Sequence, residues 1–141
     1  MVYESLRAAE ILAREGIEVE IVDPRSLVPL DRDVIRISVR KTGRLIVADT
    51  GWKNCGFSAE IAALAAEDCF AELRAPVRRV CLADVPMPTS CAIEKLAYPG
   101  PAEIALAVRE IVSGKSREKL LEEGPPSACD GLPEKQFHGP F

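Results

Sequence analysis

The stretch with the clearest capacity for chemistry is the loop inside LIVADTGWKNCGFSAEIAALAAE, residues 45–67. An apolar run ends in an acid, a loop rich in Gly, Trp, Lys, Asn and Cys follows, and an Ala-rich periodic segment comes next. This order predicts a strand, a loop and a helix. Many proteins bind a phosphate or a cofactor at such a joint, because the backbone N–H groups of a helix N-terminus attract anions.

Two interpretations of this loop are open. In the first, backbone N–H groups hold a small anion and two side chains close over it; the candidate residues are Trp52, Lys53, Gly56, Phe57 and Ser58. In the second, Ser58 or Asn54 caps the helix and Trp52 packs at a subunit interface. The loop has neither the G-x-G-x-x-G spacing nor the Lys-Ser/Thr ending of a P-loop. The second interpretation is therefore favoured.

The remaining reactive side chains do not form a recognisable catalytic or metal-binding set. The five cysteines include no C-x-x-C pair, and His138 is the single histidine of the sequence. This pattern does not predict a zinc site. It predicts that the cysteines are reduced thiols. Cys55 is the one candidate for a reactive thiol, because it lies at a predicted helix N-terminus. The sequence predicts no catalytic and no metal-binding residues.

Composition narrows the class of protein. The chain has 141 residues, of which 48% are hydrophobic, and this is enough for the core of one domain. Its net charge of −4 and the lack of a basic patch argue against a nucleic-acid partner. No apolar run approaches the roughly 20 residues of a membrane span, and the N-terminus does not read as a signal peptide. A cytoplasmic protein is expected.

Helical and strand patterns alternate along the chain. Four helices are predicted. The first is YESLRAAEILARE, with Leu6 and Leu12 on one face and Gly16 at its end. The second is RDVIRISVRKT, with Asp31 as its cap, Gly43 at its end, and an apolar side formed by Val34, Ile35, Ile37 and Val39. The third covers residues 57–70 and the fourth is PAEIALAVREIVS. Strands are predicted at 17–23, in RLIVADT and in VRRVCLADVP. The alternation predicts an α/β fold in three layers, a mostly parallel sheet with helices on both faces. Three strands make a thin sheet for these helices, and this predicts that a strand is missing at the front.

The end of the chain differs from the rest. Residues 1–114 are predicted to form the domain, and residues 115–141 an extension that is partly irregular or mobile. Within the extension KSREKLLEEG can form a helix, whereas PPSACDGLPEKQFHGPF is rich in proline and glycine. A further short helix is predicted from Ser90.

Three segments together carry a family resemblance: GIEVEIVDPRSLVPLDRDVI, TGRLIVADTGWKNCGFSAEIAA and APVRRVCLADVPMPTSCAIEKLAYP. They resemble the C-terminal domain of the transketolase family, most of all that of the beta subunits of thiamine-diphosphate-dependent 2-oxo-acid dehydrogenases of the pyruvate, branched-chain or acetoin type. The resemblance spans about residues 3–112. It implies a transketolase C-terminal-like fold that lacks the family's first strands, one of which lies centrally between the strands at 19–23 and 45–49. A truncated chain is expected, whether the truncation is natural, a result of cloning or a start-site error. The isolated chain is expected to be marginally stable or self-associating.

The resemblance also implies a role in assembly. In the family this domain joins subunits into oligomers and docks the dihydrolipoyl acyltransferase core, partly through acidic residues; the candidates here are Glu94, Glu103 and Glu110. An alpha subunit is a further implied partner. Thiamine diphosphate and magnesium are implied for the complete enzyme, with neither bound by this chain. The alternatives are a regulatory domain that binds a small anion at the 50–58 loop, and a remnant of another transketolase-family enzyme. The 2-oxo acid is not specified.

Overall fold

The computed structural model describes residues 1–87, 90 and 97–122. In these ranges the elements follow one another as helix α1 (Val2–Ala13), α2 (Arg32–Thr42), strand β1 (Ile46–Trp52), α3 (Phe57–Asp68), β2 (Arg78–Leu82), α4 (Pro101–Ser113) and α5 (Arg117–Glu122). The predicted α/β class is confirmed.

The two strands form a parallel pair connected through α3. Ile46 lies opposite Arg78 and Ala48 opposite Val80, and the register then shifts before Trp52 reaches Leu82. A helical crossover between parallel strands is the connection that the alternating sequence pattern predicts.

The core is divided between the two faces of this sheet. One cluster joins α1 to α4 and consists of Ala8, Ile11, Leu12, Ile104, Ala105 and Val108. The other joins α2 to α3 and consists of Ile35, Val39, Ile61, Leu64 and Cys69. Alternate residues of β1 serve the two clusters, Ile46 and Ala48 on the α1 side and Val47 on the α2 side, as expected for a strand. The predicted three-layer arrangement with helices on both faces is confirmed.

Helix ends agree with their local sequence signals. The carboxylate of Asp31 accepts hydrogen bonds from the backbone N–H groups of Asp33, at 3.1 Å, and Val34, at 3.2 Å, so it caps α2 as predicted. Gly43 ends the same helix at φ 69°, and Gly16 follows α1 at φ 76°. Glycine adopts this left-handed conformation without the steric cost that a Cβ adds.

The predicted strand at 17–23 is wrong. This segment belongs to neither a helix nor a strand, and among the described residues no backbone hydrogen bond joins it to β1. Its side chains nevertheless follow the expected pattern, since Ile17 and Val19 pack against the α1–α4 cluster and Val22 against the α2–α3 cluster. The apolar side chains of this segment are therefore partly buried against the core, but the pairing that defines a strand is missing.

Two apolar residues predicted to face the core are exposed. Leu6 on α1 is 49% exposed and Ile37 on α2 is 64% exposed. Each lies on a helix whose buried face is formed by other residues, Leu12 and Val39 respectively. Helical periodicity alone did not distinguish these exposed apolar positions from the buried ones.

Several predictions concern the ends of the described ranges. Part of KSREKLLEEG forms α5, which packs on α4 and buries Leu120. The short helix predicted from Ser90, the irregular tail, Cys91, Cys129 and His138 lie outside the described residues apart from Ser90 itself. The domain boundary at residue 114 stays a prediction.

Candidate functional site

The loop between β1 and α3 turns back tightly on the end of the strand. Gly56 is the N-cap of α3, and a Cβ at this position would collide with the backbone carbonyl oxygen of Trp52. Cys55, just before it, has a positive φ of 55°, a conformation uncommon in residues other than glycine. The backbone thus forms a close turn in which glycine is required at residue 56.

The predicted helix caps are wrong. Gly56 is the N-cap and no side chain accepts a capping hydrogen bond there. The Nδ2 of Asn54 instead donates to Oδ2 of Asp84 at 3.1 Å. Ser58 is fully buried, and its Oγ accepts a hydrogen bond from the Sγ of Cys81 at 3.2 Å. Both polar side chains therefore hold the loop and α3 against β2 and the residues after it.

The two side chains predicted to close over a ligand point to solvent. Trp52, the last residue of β1, is 54% exposed, and Lys53 is exposed as well. The loop is fixed here through its backbone, because the carbonyl oxygen of Lys53 accepts a hydrogen bond from Nη1 of Arg79 at 2.7 Å. An exposed tryptophan is compatible with a subunit interface, and that role for Trp52 stays a prediction.

An acidic residue shares the surroundings of the candidate anion site. Asp49 lines the same cavity as Phe57 and Ser58 at the start of α3, and its Oδ1 accepts a hydrogen bond from the N–H of Gly51 at 2.9 Å. A carboxylate in this place opposes a second negative charge. The anion site stays a prediction, with this charge against it.

The structure places the three candidate docking acids in different settings. Glu94 lies outside the described residues. The Oε2 of Glu103 accepts a hydrogen bond from the backbone N–H of Gly100 at 2.9 Å and is exposed at the start of α4. The Glu110 side chain is 9% exposed and forms an ion pair with Nε of Arg78 at 3.5 Å. Glu103 is therefore better placed than Glu110 to meet a partner.

The outer side of α1 carries an apolar surface that the sequence reasoning missed. Val2, Tyr3 and Leu6 are large, apolar and 40% to 49% exposed. They are neighbours on the helix, since residues three and four apart share a face. We call these three residues the α1 patch. The sequence contains Val2 and Leu6 as an apolar i, i+4 pair, which could have indicated this surface. The same helix also buries Leu12 on its inner side, so the pair was not distinguished from the core face.

A cleft separates residues 17–24 from β1. A cavity of about 510 Å³ lies on its α2–α3 side, and a cavity of about 270 Å³ lies on its α1–α4 side. The residues that line both are Val19, Glu20, Val22, Pro24, Ile46, Ala48 and Val108. The gap suspected from the thin predicted sheet is thus a physical space, which we call the strand cleft.

An ion pair holds one wall of the strand cleft. Nζ of Lys41 on α2 donates to Oε2 of Glu20 at 2.5 Å. The hydrogen bond from Lys41 lowers the pKa of Glu20, and the same bond raises the pKa of Lys41. Both groups therefore stay charged near neutral pH, and they tie residues 17–24 to α2.

Neither a metal site nor a membrane span is found in the described part of the chain. Within residues 1–87, 90 and 97–122, no three His, Cys, Asp or Glu side chains come together as metal ligands. No helix in those ranges is long and apolar enough to cross a bilayer. Burial raises the pKa of the Cys69 thiol, which keeps it protonated and unreactive.

Comparisons with known proteins agree with the resemblance of the three segments. Residues 1–104 match the family model of the transketolase C-terminal domain. The chain is 44% identical over 114 residues to the beta subunit of acetoin:2,6-dichlorophenolindophenol oxidoreductase from Cupriavidus necator, covering 81% of this chain and 34% of that protein. It is 48% identical over 107 residues to the mitochondrial pyruvate dehydrogenase E1 component subunit beta-1 of Arabidopsis thaliana, covering 76% and 30%.

A solved structure shares the fold. A split-gene transketolase, described as an inactive beta4 tetramer, superposes with a TM-score of 0.69 at 28% identity, covering 82% of this chain and 37% of that one. The chain spans about a third of the length of each of these relatives. The chain belongs to the transketolase C-terminal domain family.

Proposed function

We propose that this chain is the C-terminal domain of the beta subunit of a thiamine-diphosphate-dependent 2-oxo-acid dehydrogenase. Its role is subunit association and docking to the dihydrolipoyl acyltransferase core, and it is not catalytic alone. The similarity to acetoin and pyruvate dehydrogenase beta subunits supports the first part. The α1 patch supports the second, because an exposed cluster of large apolar side chains is typical of a protein–protein contact.

We assign none of the described residues to the cofactors of the complete enzyme. Bound thiamine diphosphate supplies decarboxylation chemistry to 2-oxo acids, and magnesium holds its pyrophosphate. Within the described ranges no three His, Cys, Asp or Glu side chains come together, and we assign none of these residues to that magnesium. The contribution proposed here is a surface, with an alpha subunit, further beta subunits and the acyltransferase as its partners.

Self-association through the α1 patch is the first expected consequence. The 141-residue chain should form a dimer or larger oligomer in sedimentation equilibrium at micromolar concentration. Leu6→Lys should weaken it by at least about tenfold, because a charge must then be buried in an apolar contact. Ile37→Lys is the matched control, since Ile37 is an exposed apolar residue on α2, in the opposite helical layer. A native chain that is monomeric at high concentration contradicts the assembly role of this patch.

Docking to the acyltransferase should depend on charge at the start of α4. Glu103→Gln removes the charge but keeps a side-chain oxygen for the Gly100 N–H. We expect the isothermal-titration affinity for the acyltransferase's subunit-binding domain to fall about two- to fivefold, the usual effect of one exposed pair. It should also fall with added salt for the native chain. Glu118→Gln, at an exposed acid on α5, should bind as the native chain does. Equal losses in both variants, or no effect of salt, would exclude a specific role for Glu103.

A further inference from the structure

The short helix α5 follows the part of the chain that matches the family model. The match covers residues 1–104, and α5 begins at Arg117. Among the described elements it packs mainly on α4, and of its six residues Leu120 is the one that is buried. A helix of this length is not stable by itself. The position of α5 therefore depends on the contact that Leu120 makes.

The helix that holds α5 has apolar surface beyond its contact with α1. Five consecutive residues of α4, 104–108, are buried, and successive residues of a helix point about 100° apart. These five residues therefore surround the helix. The cluster between α1 and α4 contains Ile104, Ala105 and Val108, whereas Leu106 and Ala107 are buried outside it. α4 thus offers apolar surface to further elements, and α5 packs on the same helix.

The corner between α4 and α5 depends on the backbone conformation of one residue. The connection is residues 114–116. Gly114 has φ of 68°, and its N–H donates to the carbonyl oxygen of Glu110 at 3.0 Å. A Cβ on Gly114 would meet nothing within 4 Å, so glycine is required there for its left-handed conformation and not for space. A right-handed conformation at Gly114 continues α4 into α5 and carries Leu120 away from the α4 of its own chain.

We propose that α5 is an exchangeable helix, and that the surface of α4 which holds it also accepts α5 from a second copy of this chain. In the exchanged dimer, residues 101–122 of each copy form one continuous helix, and each Leu120 is buried on α4 of the other copy. The contact within one chain identifies the occupant, because two identical copies can form the same contact with each other. A short connection favours such an exchange.

The exchange goes beyond the association proposed through the α1 patch. It uses α4 and α5, and it leaves Val2, Tyr3 and Leu6 as they are. A helix from a different protein could occupy the same surface of α4, but it would not join two copies through α5. The two cases therefore give different products in a cross-linking experiment.

Cross-linking of mixed copies detects the exchange. Isotopically light and heavy forms of the 141-residue chain, both carrying Leu6→Lys, are mixed at about 1 mM, the effective concentration that a short connection provides within one chain. Carbodiimide then joins Lys119 to acids of α4, and mass spectrometry identifies the products. A link between a light and a heavy chain reports exchange. We expect such links in this mixture, and their share should fall on dilution.

Gly114→Ala should favour the exchanged form. A Cβ penalises the left-handed corner but not the continuous helix, so the same share of light–heavy links should appear at a concentration at least about tenfold lower. Gly16→Ala is the matched control, because Gly16 has φ of 76° after α1 and a Cβ there also meets nothing within 4 Å, yet no helix follows directly. Gly114→Asn should resemble the parent chain, since asparagine accepts the left-handed conformation.

Leu120→Asp should abolish the light–heavy links, because a charge cannot be buried on α4. Leu121→Asp is its control, at an exposed position on the same helix, and should keep them. The proposal is overturned if the parent mixture gives no light–heavy links between α4 and α5, or if Leu120→Asp retains them. It is also overturned if Gly114→Ala exchanges no more than Gly16→Ala.

The result does not depend on the α1 patch. If Leu6→Lys remains oligomeric, the proposed association through α1 is wrong, and the comparison of the Leu120 and Leu121 variants still identifies links that arise from exchange. If Gly114→Ala does not fold, the parent mixture and the same two leucine variants decide the question.

Discussion

Replacing Leu12 with alanine is expected to lower the free energy of unfolding by about 2 to 5 kcal/mol, the range for a buried leucine that leaves a cavity. Leu12 is fully buried and belongs to the cluster between α1 and α4. A loss of this size is a large part of the 5 to 15 kcal/mol typical of a domain. Urea denaturation followed by circular dichroism measures it, with the midpoint shifting to lower urea.

Leu6→Ala is the matched control on the same helix. It removes the same atoms from a side chain that is 49% exposed, so the expected loss is within about 1 kcal/mol in the monomer. A comparable loss in both variants contradicts the packing of α1 on α4. The pair of measurements also separates the core function of α1 from the interface proposed for its outer side, because Leu6 belongs to the α1 patch and Leu12 does not.

The ends of the helices could be predicted because their causes are local. The carboxylate of Asp31 reaches N–H groups two and three residues ahead in the chain. Gly43 ends α2 through its own backbone conformation. Neither depends on a distant part of the molecule, and the sequence around each residue contains the whole interaction.

The strand at 17–23 could not be predicted in the same way, since pairing is a property of two segments. The sequence predicted an extended apolar segment, and the structure packs its Val19 and Val22 against opposite clusters. The sequence did not reveal whether a neighbour lies at hydrogen-bonding distance. Strand assignment needs that neighbour, and the strand cleft occupies its place.

In the candidate site, too, the local features could be predicted from the sequence and the contacts with distant residues could not. Its position between β1 and α3 was predicted from the change of pattern after Asp49. The roles of its side chains were not, because Ser58 meets Cys81 and Asn54 meets Asp84, partners 23 and 30 residues away. A polar residue near a helix start bonds to whichever group the tertiary structure brings close, and local capping rules describe one option only.

Gly56→Ala should be the most damaging change in the loop. A Cβ at this position meets the carbonyl oxygen of Trp52, a backbone atom that cannot turn aside as a side chain does. Overpacking of this kind typically costs about 1 to 3 kcal/mol or more. The free energy of unfolding should fall accordingly, and the emission of Trp52 should shift because the end of β1 must move. Urea titration and tryptophan fluorescence measure the two effects.

Gly100→Ala provides a close control for this variant. Gly100 is also a glycine N-cap, of α4, and both positions have negative φ that alanine tolerates. The two variants share the small cost of alanine at an N-cap, about 1 kcal/mol or less. They differ in what the new Cβ meets, which at Gly100 is the carboxylate end of the flexible Glu103 side chain at 3.3 Å. An excess loss in Gly56→Ala therefore measures the close turn itself, whereas equal losses would mean that glycine is needed there only as a cap.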